Sequence, residues 1–140
     1  MTDRAPYLEV SPQQGAAFFG APETGPVVML NLLRFRERAD YRHAPDLEPA
    51  GGCSGREAYH RYMHEMLPLL EASGGAVLFS GTGASFLIGP PDESWDHVLL
   101  VRQASKAAFL AFANDPESQR ITGHRLAAIS DSRLLPIRAD

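Results

Sequence analysis

A single cysteine, Cys53, occurs in 140 residues, so no internal disulfide can form and the chain fits a reducing, cytoplasmic setting. Basic residues are also few. Thirteen Lys and Arg against 17 Asp and Glu give a net charge of −4, and without a concentrated positive surface no nucleic-acid partner is expected. No apolar run approaches the roughly 18–20 residues that a membrane span needs. Met1 to Pro12 lack the charged start and apolar stretch of a secretory leader, so neither a membrane nor export is expected. The nucleotide motifs are missing as well: no Gly-x-Gly-x-x-Gly follows a strand, there is no Gly-Lys-Ser/Thr loop, and no Cys-x-x-Cys pair. Gly81-Thr82-Gly83 reads as a strand bulge. These absences leave no cofactor and no metal to assign.

What is present is a globular composition, 44% hydrophobic and 21% charged, in a length that suits one domain over residues 1–140. Ser11-Pro12 has the form of an N-cap followed by proline at the first helical position, predicting a short helix over 12–19 within an N-terminal extension of residues 1–24. Gly25-Pro26 opens the strongest strand signal, Val27 to Leu33, whose nearly unbroken apolarity predicts cover on both faces. The polar stretch from Arg34 to Gly55 is longer than most connections, and such loops tend to be functional or mobile. Ser54-Gly55-Arg56-Glu57 matches a capping box and starts a helix predicted over 56–72. Tyr59, Tyr62, Met63, Met66, Leu69 and Leu70 share its apolar face, and Pro68 is expected to bend or end it. One bulged strand or two short ones are predicted between Ala76 and Gly89, and a third strand over 95–102. Ser105 and Asp115-Pro116 each open a helix, the second reaching about Ala128, and a last strand is predicted over 131–137.

Apart from the N-terminal piece, the order is β-α-β-β-α-β, an α+β, ferredoxin-like arrangement with an antiparallel sheet and helices on one face. The other face needs cover, and a second copy stacking sheet on sheet supplies it, giving a homodimer with the form of a dimeric α/β barrel.

Few residues have the chemistry of a site. His60 and His64, four apart on a helix, have metal-ligand spacing, but they fall among the apolar positions on the flank that should face solvent. Asn31 interrupts the apolar central strand, and an unpartnered buried amide costs about 1–3 kcal/mol. If the even-numbered residues of that strand pack on the helices, Asn31 points into the barrel and can contact a ligand; otherwise it satisfies a neighbouring backbone group or the partner chain. Arg34 can hold a substrate carboxylate or phosphate, or form a structural salt bridge to Asp96 or Asp131. Trp95, Asp96 and His97 begin the third strand, and His97 is the candidate general base if it points inward. Tyr59 is a candidate substrate contact, although Tyr59 and Tyr62 also read as core aromatics. His124 reads as a surface or capping residue, and Cys53 has no evident partner in its loop.

Several stretches also resemble a known family. Gly25 to Arg36, Ser54-Gly55-Arg56-Glu57-Ala58-Tyr59-x-x-Tyr62, Gly74-Gly75, Ile88-Gly89-Pro90 and Trp95-Asp96-x-Val98-Leu99-Leu100-Val101 follow in order. Asp115-Pro116-Glu117, His124 to Ala128 and Asp131 to Leu135 complete the set. Over about residues 25–135 the chain resembles the uncharacterised DUF1330 family of the dimeric α/β-barrel superfamily. The resemblance implies a ferredoxin-like dimer and no established reaction; the superfamily includes cofactor-free monooxygenases, isomerases and cyclases, and haem-dependent members. Two departures stand out: Gln103-Ala104-Ser105 replaces the Tyr-Pro-Ser frequent in the family, and Ser118 stands where a tyrosine often follows Asp-Pro-Glu.

Three readings follow. The first is a cofactor-independent isomerase-, cyclase- or monooxygenase-type enzyme for a small, largely apolar, oxygenated or carboxylated metabolite. In it Asn31, Arg34, Trp95 and Tyr59 contact the substrate, His97 moves protons and the loop over 36–55 acts as a lid. The second is a non-catalytic ligand-binding module with the same pocket. The third is a structural dimerisation module.

Overall fold

A computed structural model describes residues 5–140. Helix α1 (Pro12–Gly20) starts where the sequence placed it, with the Ser11 hydroxyl accepting from the Gln14 amide at 3.1 Å. Strand β1 (Val27–Phe35) leads into helix α2 (Gly55–Ala72). The capping box of α2 is complete: Ser54 Oγ accepts from the Glu57 amide, and the Glu57 carboxylate accepts from the Ser54 amide, both at 3.1 Å. The helix runs through Pro68 for another turn, so the proline does not end it. Strand β2 (Ala76–Thr82) and strand β3 (His97–Gln103) form a long-armed hairpin whose bulge falls between Val77 and Phe79. Helices α3 (Lys106–Asn114) and α4 (Pro116–Ala128) follow, the latter capped by the Asp115 carboxylate. Helix α4 passes without a loop into strand β4 (Ile129–Ile137), which therefore starts two residues earlier than expected.

The four strands form one antiparallel sheet in the order β2-β3-β1-β4. This is a ferredoxin-like α+β fold, with the crossovers through α2 and through α3 and α4 on one face. The two central strands, β1 and β3, pair from Val27 opposite Gln103 to Leu33 opposite His97.

Alternation along β1 decides which residues reach the core. Val27, Met29, Asn31 and Leu33 are buried, whereas Val28, Leu30 and Leu32 are only partly covered. Val27 and Met29 pack with Leu99, Val101, Met66, Leu70 and Ile121 beneath the helices. The odd-numbered set therefore faces the helices, and Asn31 goes with it. The condition that would have aimed Asn31 into a barrel is not met.

The polar stretch after β1 is also not a free lid. The Arg36 amide donates to Ala128 O at 2.8 Å, Asp40 to Ala127 O at 2.9 Å and Ala39 to Cys53 O at 3.0 Å. A 3-10 turn, Pro45–Leu47, lies against α4 where Gly123 leaves room: a Cβ there would stand 2.6 Å from Leu47 Cδ1. Cys53 is correspondingly buried, in a core cluster with Leu33, Tyr41, Tyr59 and Ile129. The extension is tied down by Lys106, whose ammonium donates to Phe18 O at 2.8 Å and Ala21 O at 3.3 Å.

Candidate functional site

The predicted site residues separate onto the two faces of the sheet. On the open face, Arg34 and Trp95 meet: the guanidinium lies 4.5 Å from the indole centroid. Arg34 donates through Nη2 and Nε to Ser94 O, at 2.8 and 3.2 Å, and through Nη1 to Asp131 Oδ2 at 3.5 Å. The structural ion pair to Asp131 is thus realised, while Asp96 instead accepts from the Phe35 amide at 2.8 Å. Arg133 adds a second guanidinium, 5.1 Å from Trp95 and 4.8 Å from the Tyr7 ring, with its own bond to Asp131 at 2.8 Å. Burial pushes the Asp131 carboxyl up, but the Tyr7 and Ser132 amides and the Arg133 guanidinium outweigh it and hold the group below its ordinary value. The result is a layered stack of Tyr7, Arg133, Trp95 and Arg34 around one anionic carboxylate. Both guanidiniums keep about a third of their surface open.

On the helix-covered face, Asn31 is buried and its Nδ2 donates weakly to Met29 O and Leu99 O, at 3.3 and 3.4 Å. Tyr59 is buried to 2% exposure, among Phe35, Tyr62 and His97 at ring separations of 5.4 to 5.7 Å. That burial drives its hydroxyl above the ordinary phenol value. His97 shares Ser80 Oγ at 3.1 Å. Burial, followed by the nearby Arg56 and His60, lowers its pKa, so the neutral imidazole is favoured. Asn31, Tyr59 and His97 thus lie on the side of the sheet away from Arg34 and Trp95. His60 and His64 are exposed, and among the described residues no group of three or more His, Cys, Asp and Glu is placed to hold a metal.

One cluster escaped the sequence reading. His124, read as a surface or capping residue, is 5% exposed. Its Nδ1 shares a hydrogen bond with Tyr41 Oη at 2.7 Å, and its Nε2 lies 2.9 Å from Glu65 Oε2. Burial lowers its pKa against the opposing charge of Glu65, whereas burial and the adjacent Cys53 push the Tyr41 hydroxyl up to about 12. The one available signal was Tyr41 itself, the single tyrosine in the polar stretch of residues 36–55.

A cleft of about 220 Å³ at the start of β1, lined by Phe18, Pro26, Val27, Lys106 and Ile137, contains none of the predicted residues.

Comparison with solved structures gives two near-complete matches. The RPA0582 protein of Rhodopseudomonas palustris, described as of unknown function, shares 36% identity at a TM-score of 0.85, over 96% of this chain and 97% of that one. Its methylated form gives 37% identity and a TM-score of 0.86, over 97% and 96%. A DABB family protein of Mesorhizobium loti, with a ferredoxin-like fold, has 11% identity and a TM-score of 0.47, over 82% of this chain and 97% of that one. No protein-family model matches the chain, and no curated protein does.

Proposed function

The chain belongs to the family of the RPA0582 protein, and from that premise we propose that its working unit is a homodimer binding a small organic carboxylate between the two sheets. The observation that carries this reading is the open sheet face, apolar along its centre and ending at the braced pair Arg34 and Arg133 on Trp95. Leu30 and Leu100 sit side by side at the middle of that face, and Leu135 continues the row onto β4. An apolar wall with guanidiniums at one end suits a ligand with an apolar body and one anionic group, held by a fork of N–H donors. Arg34 is the ligand contact, and Trp95, only 3% exposed, lies beneath it as its support. Asn31, Tyr59 and His97 hold the sheet to the helices from the other side.

Binding fits this arrangement better than turnover, because the candidate general base, His97, lies on the helix-covered face with Tyr59 beside it. The ordered blocks from Gly25 to Leu135 support placing the family within DUF1330. Native mass spectrometry of freshly purified protein tests the reading. It should show a dimer carrying a small acidic molecule, and Arg34→Gln should keep the dimer and lose the adduct. A monomer, a dimer with no adduct, or an adduct indifferent to Arg34→Gln would each sink it.

A further inference from the structure

A second cleft, of about 620 Å³, opens at the β1–β4 corner between the N-terminal segment and the first residues of the polar stretch. Its volume is in the range of small-molecule sites. Both walls are fixed to the same corner. On one side, the Arg36 and Asp40 amides are bonded to Ala128 O and Ala127 O. On the other, Tyr7 donates to Asp131 Oδ1 at 2.9 Å and accepts from Ser132 Oγ, while Leu8 O accepts from Arg125 at 2.9 Å. The floor includes Leu126, from the turn that anchors Arg36.

Arg36 is out of balance within this cleft. Its Nε is enclosed without a hydrogen-bond acceptor, and its side chain makes no ion pair among the described residues. Arg36 lines the cleft and is only partly covered. Asp40, which feels the Arg36 charge, is bonded instead to Arg42, taking its Nε at 3.0 Å and Nη2 at 2.8 Å. A guanidinium held on a rigid backbone, partly desolvated and with no bonded carboxylate among the described residues, is a site for an anion brought from outside.

We propose that this cleft binds a small organic monocarboxylate with a flat apolar body, its carboxylate paired with Arg36 and its body against Tyr7, Leu8 and Leu126. The surrounding charges select the valence. Arg42 pairs with Asp40 in the same cleft, and Glu9 adds a further carboxylate beside Arg36, so a singly charged carboxylate meets less repulsion there than a dianion such as phosphate does. Tyr7 lines the cleft and is more than half exposed, and the part of its ring that Arg133 does not cover offers the stacking surface.

Benzoate and its neutral isostere benzamide are the probes. In methyl-labelled full-length protein, benzoate should shift the Leu8 and Leu126 methyl signals saturably at millimolar concentration. Benzamide should act about ten times more weakly, since it cannot form the ion pair. Arg36→Gln should erase the difference between the two probes, Arg36→Lys should retain part of it, and Arg34→Gln should leave it unchanged, which separates this cleft from the open-face site. Equal binding of the two probes, no shift at Leu8 and Leu126, or an undiminished preference in Arg36→Gln overturns the proposal. The comparison of probes on the unaltered chain stands even if a variant fails to fold.

Discussion

His124 is held between Tyr41 and Glu65, and both contacts cross between elements: Tyr41 comes from the polar stretch, Glu65 from α2 and His124 from α4. Because burial lowers its pKa, with Arg61 and Arg120 reinforcing the effect and Glu65 opposing it, the folded chain takes up this proton later than the unfolded chain does. His97 is displaced in the same direction by burial. Both contributions to stability are therefore full above the unfolded histidine value of about 6.5 and are lost as the pH falls through the folded values. Thermal unfolding followed from about pH 7.5 to 5 should show a falling midpoint, and His124→Gln, less stable at neutral pH, should lose less on acidification. Tyr41→Phe should cost about 1–2 kcal/mol in urea unfolding, because it strands Nδ1 of a buried imidazole. The sequence could not show this cluster. The Arg125 and Arg120 neighbours make α4 look solvated, and His124 is buried by a segment more than 80 residues away. Asn31 was legible as an anomaly, but alternation identifies which residues share a face and not which face meets the helices.

Among elements, the N-terminus of α2 was readable to the residue, because a capping box is a local arrangement of side chains and amides. The role of Gly55 was not. A Cβ on Gly55 would collide with Arg36 O and stand 2.6 Å from Ala128 O and 2.8 Å from Arg36 N, the backbone atoms that pin the exit of β1 to the end of α4. Alanine normally favours a helix by up to about 1 kcal/mol over glycine. Here Gly55→Ala should instead destabilise the chain by about 1–3 kcal/mol, through displacement of packed backbone, whereas Ser54→Ala should cost about 1 kcal/mol through the lost cap alone. Parallel urea melts of the two variants check the order. A Gly55→Ala variant as stable as the parent would mean that the corner yields. The same corner bears on the expected lid: Gly, Pro and charge make residues 36–55 look free, but the Arg36 and Asp40 amides find carbonyl partners on α4 and Ala39 pairs with Cys53, pairings that composition does not encode.

At the scale of the molecule, the face opposite the helices raises the question of what covers it. Phe79, Leu100, Leu30 and Leu135 align in successive register across all four strands, with Phe79 and Leu135 each more than half exposed. Beyond the row, the arm between β2 and β3 presents Leu87 and Ile88 almost wholly to solvent. A contiguous apolar patch of this kind marks an interaction surface, and a two-fold stack of identical faces is the simplest way for one chain to cover it. This face was foreseeable, since an unbroken apolar strand in a sheet with helices on one side needs a second layer; what the sequence left open was that the even-numbered residues form it. Leu100 stands at its centre, between Leu30 and Phe79. Leu100→Asp would place an unpaired carboxylate against the partner's apolar row, a burial costing several kcal/mol, so the dimer dissociation constant should rise about a hundredfold or more. The protomer itself should keep its far-ultraviolet dichroism, because in a lone chain the new carboxylate faces water. Sedimentation equilibrium decides the matter: the parent should run at twice the chain mass, and Leu100→Asp should approach a single chain at micromolar concentration. If the parent is already monomeric, or if Leu100→Asp dimerises as tightly, the two sheets do not face one another and the lumen that would hold the carboxylate does not exist.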